Sequence, residues 1–78
     1  MSFLDTVRLY QLRTVSTRNY FNAIHILHCT TPIIMENFNL KENRAFNLNL
    51  VFQPGDMLSV LSRGAKVFIV LLSPDNCF

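Results

Sequence analysis

The chain has 78 residues, half of them apolar and 15% charged, with a formal net charge of +2. That length makes one domain whose small core leaves part of the apolar content for a partner. The charge is too low, and Arg8, Arg13, Arg18, Lys41, Arg44, Arg63 and Lys66 too dispersed, for the basic stripe of a non-specific phosphate binder.

Residues 2–17 read as a helix. Ser2 stands as an N-cap with Asp5 in the acid-favouring first turn, and Phe3, Val7, Tyr10 and Thr14 recur at spacings of three and four. The β-branched Thr14, Val15 and Thr17 weaken its end. From Asn22 the texture turns to strands, and five are predicted within residues 22–72. The first is Ala23-Ile24-His25-Ile26-Leu27-His28, broken by Thr30-Thr31-Pro32. Residues 33–40 follow, then a polar turn at Lys41-Glu42-Asn43-Arg44. Phe46-Asn47-Leu48-Asn49-Leu50 alternates as a strand with one wet face, and Asn37, Asn39, Asn47 and Asn49 read as the solvated side of two paired strands. Gln53-Pro54-Gly55-Asp56 is a turn with Pro and Gly where type II wants them. Residues 57–61 and 66–72 are the last strands, joined by Ser62-Arg63-Gly64-Ala65, and residues 73–78 form a tail. Phe38, Phe46, Phe52 and Phe68 are expected in the core, with Phe68 or Phe78 as a partner anchor. A helix followed by five short strands predicts a mainly β fold, a strongly bent antiparallel barrel.

The stretch Val60-Leu61-Ser62-Arg63-Gly64-Ala65-Lys66-Val67-Phe68-Ile69 resembles the second Sm motif, an apolar strand, an Arg-Gly or Asn-Gly turn and a second apolar strand. Glu42-Asn43-Arg44-Ala45-Phe46-Asn47 fits the first Sm motif only loosely, and either Asn47 or Asn49 stands in for its base-holding asparagine. With Leu12-Arg13-Thr14, Leu27-His28, Gln53-Pro54-Gly55 and Arg63 at matching separations, the chain is similar to the Sm-like Gemin proteins of the SMN complex. The resemblance implies a single Sm-like barrel and a non-catalytic scaffold role in assembling spliceosomal small nuclear ribonucleoproteins, in cytoplasm and nucleus. Its implied partners are another Sm-like Gemin through strand pairing and a further Gemin leading to SMN, with Sm proteins and small nuclear RNA reached indirectly. The pairing edges would be Lys66, Val67, Phe68, Ile69, Val70 and Leu71 on one side and Met57, Leu58 and Val60 on the other. The alternative is an Sm ring subunit that contacts uridine-rich RNA through Arg63 with Asn47 or Asn49.

Other chemistry has less behind it. His25 and His28 alternate to opposite faces of a strand, and only the distant Cys77 is left to complete a site with Cys29, so no metal or cofactor is expected. A Cys29–His nucleophilic pair shows no orienting third group or oxyanion site in the sequence, so no catalysis is expected either. The two cysteines make no disulfide framework. The longest apolar run falls far short of the roughly 20 residues that span a bilayer, so no membrane is expected. A third alternative is a mitochondrial protein, since residues 1–21 hold three arginines against one acid and are rich in Ser and Thr.

Overall fold

The N-terminal segment is a strand, not the helix its spacing predicts. The protein is described here by a computed structural model over residues 1–72, and the expected tail at 73–78, with Cys77 and Phe78, lies outside the described residues. Six strands follow in order: β1 (Val7–Ser16), β2 (Asn22–His28), β3 (Thr31–Phe38), β4 (Asn43–Phe52), β5 (Leu58–Arg63) and β6 (Ala65–Leu72). Among the described residues there is no helix, and none is therefore long and apolar enough to cross a membrane.

The reason for the misreading is local. A β-bulge between Leu9 and Gln11 shifts the register of β1 against both its neighbours. Before it Leu9 faces inward, and after it Leu12, Thr14 and Ser16 do. The helix spacing of Phe3, Val7, Tyr10 and Thr14 therefore does not mark one face: Phe3 and Thr14 are buried, while Tyr10 is 54% exposed. The β-branched Val7, Thr14 and Val15 suit the extended chain that forms.

The strands build two antiparallel three-stranded sheets, β4-β1-β6 and β3-β2-β5. This corrects the expected five-stranded closed barrel: the fold is mainly β, but it has six strands in an open two-sheet sandwich. β3 and β4 lie in different sheets, so Asn37 does not share a paired face with Asn47 and Asn49. Polar residues 43 and 44, expected in a turn, begin β4.

The inner faces meet in one core. Phe3, Leu9, Leu12 and Phe52 pack with Ile24, Ile26, Ile34, Phe38 and Leu58, and burying each large apolar side chain contributes about 1.5–3 kcal/mol. Phe46 is half-buried beside this cluster, whereas Phe68, expected in the core, is 51% exposed.

Gly64 is the joint that separates β5 from β6. Its φ is +70°, and a Cβ there would stand 2.2 Å from Asn22 Oδ1 and 2.5 Å from Arg18 Nε. The Gly64 carbonyl also accepts the Thr17 amide at 2.7 Å. Only glycine meets both the backbone angle and the lack of space. The chain passes from one sheet to the other through this single residue, rather than reversing in the four-residue turn expected at 62–65.

Candidate functional site

β5 and β6 are edge strands of different sheets, set end to end at Gly64. β2 lies on one side of β5 and β1 on one side of β6. The first part of the other side is covered by the chain itself. Ser2 bridges Met57, and the Leu58 amide donates to the Met1 carbonyl at 2.8 Å. From residue 59 to 72 no described strand lies alongside.

Register fixes which backbone groups are free there. Antiparallel ladders alternate hydrogen-bonded and non-bonded pairs. Cys29 donates to Met57, so Ser59, Leu61 and Arg63 turn their amides to β2, while Val60 and Ser62 turn theirs outward. Thr17 donates to Gly64, so Lys66 and Phe68 bond β1, and Ala65, Val67 and Ile69 face away from it. Val60, Leu61, Phe68 and Val70 expose their side chains along this edge, while Val67, Ile69 and Leu71 are half-buried against the core.

The nine edge residues read from the sequence therefore divide. Val60, Lys66, Val67, Phe68, Ile69, Val70 and Leu71 lie along the open edge. Met57 and Leu58 do not offer a second edge, because residues 1–3 occupy it and Leu58 is 1% exposed.

On the opposite side of the sandwich, where β3 and β4 are the edge strands, charge gathers around Arg44. Arg44 bonds Glu42 and sits 3.5 Å from Glu36, and its guanidinium lies 4.2 Å over the Phe38 ring. Pro32 and Asn37 add to the polar and non-donating groups on β3. Lys, Pro and charges of this kind are how natural sheets blunt an edge. The sequence reading missed Arg44 as a structural residue, since nothing in its spacing shows that Glu36 and Phe38 reach it.

The residues expected to contact RNA are not brought together. Arg63 borders a hollow on the outer face of β3-β2-β5 with Ala23, His25, Asn37, Leu61 and Ser62. Asn47 and Asn49 border another on the outer face of β4-β1-β6, with Arg8, Tyr10, Gln11 and Leu48. There the Gln11 amide donates to Asn47 at 2.8 Å, and Arg13 Nε donates to Gln11 at 2.9 Å. Arg8, Arg13 and Lys66 share that outer face with the exposed rings of Tyr10 and Phe68, and no acidic residue stands on the outward positions of its strands.

At the far end of the molecule, His28, Cys29 and Asp56 meet. His28 Nε2 lies 2.9 Å from Asp56 Oδ2, which also accepts the Gln53 amide at 3.0 Å. The His28 hydrogen bond and then the Gln53 amide hold the Asp56 carboxyl below its ordinary pKa. His25 turns away to Asn37, 3.4 Å distant. Asp56 comes from a turn 28 positions downstream, so the spacing of histidines and cysteines alone could not find it.

Comparison with known protein families, with curated proteins and with solved structures finds no match to this chain.

Proposed function

We propose that the protein is a non-catalytic interaction subunit that takes a strand of another β-rich chain along residues 59–72. The observation that carries this reading is the unguarded apolar edge continuing across both sheets, with outward backbone groups at Val60, Ser62, Val67 and Ile69. Backbone pairing would supply the affinity, and Leu61, Phe68 and Val70 the side-chain contacts. The partner class is an Sm-like chain of the SMN–Gemin kind, in support of ribonucleoprotein assembly. That choice rests on the residue spacing around Gln53-Pro54-Gly55 and Arg63-Gly64 and not on the fold, in which Leu12-Arg13-Thr14 belongs to a strand.

The test is co-purification of the tagged full chain with co-expressed Sm-like proteins, beside Ser62→Pro and Val67→Pro. Each proline removes an outward amide while leaving the inner ladder intact, and edge strands tolerate it. Loss of the complex with the fold retained by circular dichroism is the expected result. Retention by both variants would rule out pairing at this edge.

A second reading has its own observation. The outer face of β4-β1-β6, with Arg8, Arg13, Lys66, Tyr10 and Phe68, has the composition of a stacking platform for a single-stranded nucleic acid. It replaces the expected grouping of Arg63 with Asn47 and Asn49. Binding of uridine-rich RNA that weakens with salt, and whose salt slope falls on Arg13→Ala, would favour it.

A further inference from the structure

We propose that His28, Cys29 and Asp56 form a binding site for a borderline divalent transition ion of the zinc type. The imidazole nitrogens, the thiol sulfur and the carboxylate oxygens offer one ligand atom from each residue, all within 4.8 Å of one another. A tetrahedral zinc holds N, O and S at about 2.0–2.3 Å, which puts the ligands about 3.3–3.7 Å apart. Reaching that geometry from 2.9 Å between His28 and Asp56 takes a few tenths of an ångström of opening, and no more than about an ångström of closing for Cys29. On binding, the thiol proton passes to solvent, the imidazole keeps its one ring proton on the nitrogen that does not hold the ion, and the ion takes a fourth ligand from water.

Two further features fit this assignment. The three residues are held from behind: the His28 ring stacks on Phe52 at 3.8 Å between centroids, Cys29 donates its amide to Met57, and Asp56 accepts the Phe3 amide through its carbonyl. Their partners fix the ligands before any ion arrives, as outer groups do in metal sites. The second feature is the backbone of Cys29. It is the first of two loop residues joining β2 to β3, with φ at +55°. In such a two-residue hairpin, positive φ at the first position alone is the II′ pattern, where glycine is the usual occupant. A cysteine there costs of order 1–3 kcal/mol, and strain of this kind is characteristic of positions kept for a side chain's chemistry. The site uses none of residues 59–72, so it stands whether or not that edge binds a partner.

The probe is cobalt(II) alone, titrated into the reduced, chelator-treated full chain, followed by displacement with zinc(II). The expected result is one ion per chain, with a thiolate-to-cobalt charge-transfer band and the visible bands of a tetrahedral ion. Cys29→Gly is the decisive variant. It relieves the backbone, so it should raise thermal stability while abolishing the charge-transfer band. His28→Asn and Asp56→Asn should each weaken binding by more than the roughly 10–100-fold that follows loss of a group behind a ligand. A spectrum without the thiolate band overturns the proposal. So does cobalt binding that survives Cys29→Gly, or that is lost with Cys77→Ser while Cys29→Gly retains it.

Discussion

The two open sides of the sandwich solve the same problem in opposite ways. Each is formed by edge strands from both sheets, β3 and β4 on one side and β5 and β6 on the other. On the first, Arg44 ties Glu42 and Glu36 together above Phe38, and Pro32 and Asn37 stand on the neighbouring strand. On the second, Arg63 and Lys66 are the charges among the described residues, and the apolar side chains of Val60, Leu61, Phe68 and Val70 are exposed. The difference teaches where an added strand would meet least charge, which is along β5 and β6.

Gly64→Ala should do the most damage to this contrast. It forces φ +70° on a residue with a Cβ, at about 1–3 kcal/mol, and drives that atom into Asn22 and Arg18, at about 1–3 kcal/mol more. A urea titration of the variant should show the combined loss, and an unchanged midpoint would mean that the joint is not as tight as described. Arg44→Met tests the guarded side. Losing one cation–π contact and two part-exposed ion pairs should cost about 1–2 kcal/mol. Concentration-dependent association appearing in sedimentation of that variant would show that charge had been keeping the β3–β4 side free. Val70→Lys is the mildest in stability, within about 0.5 kcal/mol because the side chain points outward. It places a guard on the open edge, and titration against a captured partner should show binding at least tenfold weaker. A variant that bound normally would move the contact away from β6.

Much of the sheet texture was legible in the sequence, and the N-terminal strand, read as a helix, was not. Alternation is readable where a strand is regular, as in Phe46-Asn47-Leu48-Asn49-Leu50. In β1 the bulge at Tyr10 interrupts the period, so Val7, Tyr10 and Thr14 match a helical spacing although Tyr10 faces solvent and Thr14 the core. Closure was also out of reach, because whether Arg63-Gly64 reverses the chain or carries it on depends on Asn22 and Arg18 packed against the glycine. Of the candidate edge, the β6 stretch was visible as an uninterrupted apolar run. Its limit at residue 59 was not, since it depends on residues 1–3 folding back onto Met57 and Leu58. Likewise the His28–Asp56 pair joins two turns that no local pattern connects.

Because β5 and β6 run on from one another, a strand laid along them would act as a splint across the whole sandwich. Its backbone would be fastened to β2's sheet at one end and to β1's sheet at the other, so neither sheet could open without releasing it. Occupancy at 100 times the dissociation constant would add about 2.7 kcal/mol to the folded state. Amides exchanging only by global opening, on β1 and β2 alike, would then slow about a hundredfold together. A ligand held by one sheet alone would leave the other half of the molecule breathing at its own rate.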